Sequence, residues 1–182
     1  METEKRLERL DGSPNKSDDT KCSLNKKAEP KTAESLTVLA MDPGKVNFAW
    51  VFWQEGIQEY GWLKTMVDVN TDTDFVNGYI ELLARLNPDY IVLERFMVRN
   101  RGQSIHAEII NQMIGRISIL SRTYSGRDVI QITAAQWKNW WNKQKKQNWE
   151  EVYSALDSIH QRDAAGIAHY TEETWIPKHC LR

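Results

Sequence analysis

Two apolar stretches of this chain each end in a carboxylate. Residues 36–44 read Leu-Thr-Val-Leu-Ala-Met-Asp-Pro-Gly, and residues 90–94 read Tyr-Ile-Val-Leu-Glu. Such runs are typical of buried β-strands, and a buried carboxylate such as Asp42 or Glu94 is costly unless a charge or a metal ion pairs with it. These two stretches therefore predict a sheet with an acidic site at one edge.

A third carboxylate, Asp163, opens a segment of small residues and follows His160 by three positions. That spacing places both side chains on one face of a helix. Carboxylate oxygens are the ligands that Mg²⁺ prefers, and two such ions are suited to phosphodiester hydrolysis. The metal-ligand set predicted here is Asp42, Glu94 and Asp163. Simpler interpretations also exist, because Asp-Pro-Gly is common turn chemistry and an acid near a helix start favours the helix dipole.

Length and composition indicate one domain with a tail. The chain has 182 residues, of which 41% are hydrophobic, and residues 1–35 are polar enough to be expected as a disordered tail. No stretch approaches the roughly 20 apolar residues of a membrane span, and the start lacks the apolar region of a signal peptide. The two cysteines, Cys22 and Cys180, suggest neither a zinc site nor a disulfide framework. We therefore expect an intracellular protein that is not secreted and has no membrane partner.

Charge is distributed unevenly along the chain. Residues 36–94 carry a net charge of −6, whereas residues 95–146 carry +8, although the whole chain carries only −1. A basic stretch of this kind indicates a polyanionic partner such as nucleic acid. The alternative is a solvated helix face.

The pattern of apolar residues predicts the order β-β-β-α-β-α-β-α-α. Strands are expected at 36–41, 47–53, 57–64, 89–94 and 128–132, with a turn at 54–56 that makes the second and third a hairpin. Helices are expected at 72–86, 103–122, 134–142 and 149–157, with a further helix from about residue 160. Thr133 and Asn148 are candidate N-caps. A hairpin followed by βα units implies an α/β fold with a mixed five-stranded sheet flanked by helices.

This order, with acids at the ends of the first and fourth strands, resembles the ribonuclease H-like fold. Four segments resemble motifs of the RuvC family of Holliday-junction resolvases, in the same order along the chain: residues 41–44, 94–100, 132–138 and 160–168. The likeness implies that residues 36–182 form a nuclease domain. It also implies a homodimeric, metal-dependent endonuclease that cuts four-way DNA junctions with two Mg²⁺ ions, for which Mn²⁺ can substitute.

One position departs from the family pattern. His160 stands where the family has the first acidic residue of its closing motif. A histidine is a poorer ligand than a carboxylate for a hard metal ion, but it can orient or deprotonate a water molecule near neutral pH. The predicted catalytic set is therefore Asp42, Glu94, His160 and Asp163.

Candidate DNA contacts surround these acids. Phe96 is either a core residue or an aromatic that wedges between bases. The basic candidates are Arg95, Arg99, Arg101, Lys138, Lys145 and Lys146, each of which could instead be a plain surface charge. The tryptophans of 137–141 are interpreted as packing residues, and three other histidines, at 106, 169 and 179, as structural or solvated.

The function predicted from the sequence is the resolution of branched DNA by a homodimer. Two symmetric cuts across a junction need two facing active sites, which a two-fold dimer supplies, and the exposed face of the helix at 103–122 is the expected dimer surface. The alternatives are a broader nuclease for flaps and forks, a ribonuclease H-type enzyme, and a non-catalytic scaffold of the same fold.

Overall fold

The computed structural model describes residues 36–44, 47–64, 72–96, 104–144 and 147–180. The strands are β1 (Val38–Pro43), β2 (Asn47–Trp53), β3 (Ile57–Lys64), β4 (Tyr90–Arg95) and β5 (Val129–Thr133). The helices are α1 (Asp72–Leu86), α2 (Ser104–Ser125), α3 (Ala134–Gln144), α4 (Trp149–Val152), α5 (Ile159–Tyr170) and α6 (Ile176–His179), with a π-helical segment (Thr171–Trp175) before α6. The predicted order and α/β class are confirmed. The predicted tail, residues 1–35, lies outside the described residues.

The five strands form one mixed sheet in the order β3-β2-β1-β4-β5. β1 and β2, and β2 and β3, are antiparallel, whereas β1 and β4, and β4 and β5, are parallel. In the parallel pair β1–β4, Met41 lies opposite Leu93, so the next residue of each strand, Asp42 and Glu94, reaches the same edge of the sheet. The topology thus brings together two acids that are far apart in sequence.

The predicted hairpin is present between β2 and β3. The turn places Glu55 at φ 56° and Gly56 at φ 146°, and Gly56 makes this turn possible because it has no Cβ to clash at that angle. The backbone N–H of Gln54 donates to the carbonyl of Gly56 over 2.9 Å. β3 therefore pairs only with β2 among the described strands and forms one edge of the sheet.

Each face of the sheet carries its own core. On one face, Leu39, Met41 and Leu93 pack with apolar residues of α1 and α2. On the other, Val38 and Ala40 pack with residues of α3 and α5. Successive strand residues thus alternate between the two faces, and Asp42 and Glu94 fall on the face that α5 covers. No described helix is long and apolar enough to cross a membrane.

The predicted N-caps are confirmed. The Thr133 hydroxyl accepts from the N–H of Gln136 over 3.3 Å, and the Gln136 side chain accepts from the N–H of Thr133 over 2.8 Å, a reciprocal capping box. The Asn148 side chain accepts from the N–H of Glu150 over 3.1 Å. Both caps fix where the helices that border the site begin.

The prediction for the helix at 149–157 was wrong in length, because α4 ends at Val152. The next residues turn more tightly, with the N–H of Leu156 bonded to the carbonyl of Tyr153 at 2.9 Å. Tyr153 and Leu156, three apart, are both buried in the α5-side core, and an i→i−3 turn brings residues at that spacing to one side. The π-helical segment and α6 were not predicted.

Gly166 is the point of closest approach between α5 and α3. A Cβ at Gly166 would lie 2.5 Å from the indole of Trp137, which is fully buried. The neighbouring residues Ala164, Ala165 and Ala168 are also buried. These small residues let α5 pack against the sheet, and Gly166 leaves room for the Trp137 ring.

We expect Gly166→Ala to lower the free energy of unfolding by about 2 kcal/mol. Overpacking against a rigid indole costs about 3 kcal/mol, and the better helix propensity of alanine returns about 1 kcal/mol. Urea denaturation followed by circular dichroism measures the change. The control is Gly115→Ala in α2, where a Cβ meets nothing within 4 Å and where we expect a gain of about 0.5–1 kcal/mol. Equal effects of the two substitutions would contradict the packing argument.

Candidate active site

Asp42 and Glu94 lie side by side at the edge of the sheet where β1 and β4 end. Asp42 is buried and Glu94 is partly buried. Both side chains emerge on the α5 face, because each follows an apolar residue of the other face, Met41 or Leu93. The pairing of the acids predicted from the two apolar runs is therefore what the strand register produces.

The first turns of α5 bring His160 and Asp163 to the same edge. The Ser158 hydroxyl caps this helix by accepting from the N–H of Gln161 over 3.2 Å. His160 Nδ1 lies 2.5 Å from Asp42 Oδ2, a contact between residues 118 positions apart in sequence. His160 is thus bound directly to the first carboxylate.

Asp163 is held through both of its oxygens. Lys138 Nζ donates to Oδ2 over 2.8 Å, and the indole N–H of Trp149 donates to Oδ1 over 2.8 Å. Glu94 is held in a similar way, because the indole N–H of Trp137 donates to its Oε2 over 2.9 Å. Two buried or partly buried tryptophans therefore orient two of the three carboxylates.

The roles of Trp137 and Trp149 were missed in the sequence. Trp137 was interpreted as a packing residue and Trp149 only as a helix start. A buried indole needs an acceptor for its N–H, and that general requirement was the available signal. It could not identify Glu94 or Asp163 as the acceptors, since nothing local in the sequence connects them.

The Lys138 ammonium lies between the two indoles. It is 4.8 Å from the ring centroid of Trp137 and 4.9 Å from that of Trp149, while it is bonded to Asp163. Burial raises the pKa of both Asp42 and Glu94, and the positive charge of Lys138 opposes that rise. Lys138 is therefore a cation that acts on all three acids.

The acids perturb one another. Burial raises the pKa of Glu94 to about 7, and the negative charges of Asp42 and Asp163 add to that rise against the Trp137 hydrogen bond. Burial also raises the pKa of Asp42, opposed by its bond to His160. The same bond raises the pKa of His160 above its ordinary value. Mutually repelling carboxylates of this kind are a common mark of a functional site.

The donor set suits a hard divalent cation, because Asp42, Glu94 and Asp163 offer only carboxylate oxygens. Each oxygen has two lone pairs, so a hydrogen bond to one leaves capacity for a ligand bond. In the part of the chain that the structure describes, no three His, Cys, Asp or Glu side chains stand close enough to hold one ion as they are. The types of donor therefore fit a hard metal ion, whereas the described side-chain positions do not form a three-residue ligand set.

The predicted DNA-binding residues fall into three groups. Arg95 is exposed where β4 ends, and Phe96 is partly buried and packs against the core shared with α1 and α2. Lys138 faces the acids. The remaining four, Arg99, Arg101, Lys145 and Lys146, lie outside the described residues. Of the other histidines, His169 bonds Tyr153 and Glu173 over 2.7 Å each, and the ring of His179 stacks on Trp175.

Several solved structures with a similar architecture are Holliday-junction resolvases. RuvC of Thermus thermophilus in complex with a Holliday junction substrate has a TM-score of 0.61 at 18% identity, over 73% of this chain and 90% of that one. RuvC of Thermus thermophilus alone has a TM-score of 0.60 at 16% identity, over 79% and 96%. The yeast mitochondrial Holliday junction resolvase has a TM-score of 0.50 at 13% identity, over 81% and 86%.

No protein-family model matches the chain, and no curated protein sequence matches it. The likeness is therefore carried by the fold, at identities too low to carry residue roles across. The predicted class is confirmed, and the chain has the ribonuclease H-like fold of the RuvC-type resolvases.

Proposed function

We propose that this chain is a metal-dependent endodeoxyribonuclease that resolves four-way DNA junctions by phosphodiester hydrolysis. The observation that carries the proposal is the convergence of Asp42 and Glu94, where the parallel strands β1 and β4 end, with Asp163 of α5 close enough that its charge raises the pKa of both. The RuvC-type fold supports the choice of substrate. Partly buried acids that raise one another's pKa values are typical of functional sites.

In this proposal Asp42, Glu94 and Asp163 hold two Mg²⁺ ions, for which Mn²⁺ can substitute. Bound divalent ions supply Lewis-acid activation of water and stabilisation of the leaving 3′ oxygen. Trp137 and Trp149 keep Glu94 and Asp163 in fixed orientations through their indole N–H groups. A fixed ligand orientation improves affinity because less side-chain order is lost on binding.

His160 has a separate part. Its Nδ1 faces Asp42. When the neutral ring donates its Nδ1 proton to that carboxylate, Nε2 is the nitrogen that can accept another proton. Asp42 thus fixes the tautomer and the ring orientation of a potential base. His160 accepts the proton from the attacking water in our proposal.

Branched DNA is the proposed partner. The basic stretch 95–146 provides the positive charge that phosphates require, and Arg95 and Lys138 lie at the acidic edge. The alternative substrates are flaps and RNA–DNA hybrids, which the same carboxylates could cut. Cleavage assays with matched junction, flap and hybrid substrates distinguish them.

A homodimer is the proposed assembly, with α2 as its surface. Two large apolar side chains are exposed on this helix, Ile119 at 68% and Tyr124 at 59%. Exposed apolar groups on one helix favour an interface with a second copy. A two-fold dimer would present two active sites to the two strands that a symmetric resolution must cut.

We expect the wild type to cut a synthetic four-way junction in Mg²⁺, and Asp42→Asn to bind it without cutting, because the amide removes a ligand charge. Gel assays with junction, 5′-flap, linear duplex and RNA–DNA hybrid measure both properties. The control is Asp128→Asn, an exposed acid paired with Arg122, which should cut normally. Near-normal cutting by Asp42→Asn would exclude the proposed site, and preferential cutting of the flap or hybrid would replace the proposed substrate.

Metal affinity should depend on pH through Glu94. Because ligation needs the ionised carboxylate and the metal-free pKa is raised to about 7, a proton competes with the ion as pH falls below that value. Mn²⁺ titration calorimetry without DNA should show that Mn²⁺ binds about tenfold more weakly at pH 6 than at pH 8. At pH 6, one unit below that pKa, most of the Glu94 side chain carries a proton. The Glu94→Gln variant should bind Mn²⁺ more weakly, and its affinity for Mn²⁺ should depend less on pH. If the Mn²⁺ affinity of both proteins depends equally on pH, Glu94 is not a metal ligand.

We expect Ile119→Glu to convert the dimer to a monomer, because it places a charge in an apolar interface. Sedimentation velocity measures the change. Val152→Glu is the matched control, since Val152 is 47% exposed on α4 and should leave the assembly intact. A monomeric wild type, or a variant that stays dimeric, would place the interface elsewhere.

A further inference from the structure

The edge strand β3 exposes two aromatic rings on one face. Tyr60 is 41% exposed and Trp62 is 39% exposed, and Lys64, also exposed, follows at the same two-residue spacing. Because side chains alternate along a strand, these three share the face on which Asp42 lies. We call Tyr60, Trp62 and Lys64 the β3 face. It was not singled out in the sequence.

The β3 face is in register with the acidic site. Asp42 pairs with Ala49 of β2, and Ala49 pairs with Trp62, so Asp42 and Trp62 occupy one row of the sheet, two strands apart. The Trp62 ring also meets the ring of His160 edge to face, with centroids 6.5 Å apart at 75°. Trp62 therefore forms the rim of the site on the side of the sheet edge.

The opposite side of β3 is fixed in place. A Cβ at Gly61 would lie 2.7 Å from the indole of Trp50, so the backbone between the two exposed rings rests directly on a buried tryptophan. Leu63 is buried in the same core, and Glu59 accepts from Arg85 of α1 over 2.5 Å. The exposed rings thus stand on a rigid support.

Two aromatic rings and a lysine fit a nucleic-acid strand. An exposed ring binds any base by stacking, and a lysine beyond the rings can neutralise a phosphate. Phe96, for which the sequence left a core role and a base contact both open, is partly buried against the α1–α2 core. Trp62 is consequently the better placed aromatic for a base next to the acids.

The spacing of the rings favours unstacked bases. Residues two apart on a strand lie roughly 7 Å apart, about twice the 3.4 Å rise of stacked bases. Two consecutive bases placed on both rings would have to be separated from each other, as in a single strand or at a branch point. Intact duplex offers no such bases.

We infer that the β3 face is a base-stacking platform, in which Trp62, with Tyr60, holds an unpaired nucleotide of the DNA substrate beside the catalytic carboxylates. This inference rests on the proposed nuclease function for its position relative to the reaction. The binding itself can be measured without cleavage. Trp62 would set selectivity for branched or single-stranded DNA over duplex.

The test compares Trp62→Phe, which keeps an aromatic face, with Trp62→Leu, which keeps an apolar side chain without one. Trp175→Leu, in the π-helical segment after α5, is the control for loss of a partly exposed tryptophan away from the site and from α2. Fluorescence anisotropy gives affinities for a four-way junction, a thymidine oligonucleotide and a base-free oligonucleotide of the same length. Sedimentation velocity of each protein reports its assembly, and circular dichroism its folding.

We expect Trp62→Leu to weaken binding of the junction and the thymidine oligonucleotide by roughly tenfold, within the range for loss of one stacked base. Trp62→Phe should stay within about threefold of the wild type, and the base-free oligonucleotide should not distinguish the proteins. Unchanged binding by Trp62→Leu would overturn the inference. The inference would also be overturned if Trp62→Leu dissociated the protein assembly and weakened binding of all three probes equally. In that case the β3 face would be a protein interface.

A measurement on the wild type covers the case in which Trp62→Leu does not fold. Photocrosslinking to an oligonucleotide that carries 5-iododeoxyuridine should mark Trp62 or Tyr60 in the mass spectrum, and crosslinks only elsewhere would overturn the inference. If Trp62-dependent binding persists but no junction is cut, the platform stands and the resolvase proposal fails. If the wild type binds none of the probes, both fail.

Discussion

The burial of negative charge where β1 and β4 end is the constraint on which the rest of the structure depends. Asp42 and Glu94 are forced together by parallel pairing, and Asp163 of α5 adds a third charge close to them. Uncompensated, such a cluster would oppose folding. The chain offsets the cost by hydrogen bonds to each carboxylate. The imidazole of His160 bonds Asp42, an ammonium and an indole bond Asp163, and a second indole bonds Glu94.

Packing and chemistry share the same residues here. Trp137 fills the space between α3 and the sheet, and its N–H orients Glu94. It can do so only because Gly166 of α5 leaves room for its ring. A residue of the hydrophobic core and a glycine with no polar side chain therefore determine the geometry of the acidic site. Substitutions at either would alter stability and ligand orientation together.

Much of the fold was predictable, because its signals are local. The bounds of β2, β3 and α1 follow from apolar periodicity and agree with the prediction, and the caps at Thr133 and Asn148 follow from residue type. Asp42 and Glu94 were identifiable from their positions after apolar runs, and Asp163 from its place at the start of a small-residue segment, three positions after His160. The donors were not, since Trp137 reaches an acceptor 43 residues away and its aromatic character favours a core interpretation. The short α4 was missed because burial of Tyr153 and Leu156 overrides helix periodicity.

The 118-residue separation between Asp42 and His160 has a consequence for biosynthesis. All five described strands emerge from the ribosome before α5. Contacts of long sequence separation form late because closing a long loop costs entropy. A nascent chain that lacks α5 holds neither Asp163 nor His160. A partly synthesised chain therefore cannot assemble this acidic site, and the order of synthesis delays its formation until α5 has been made.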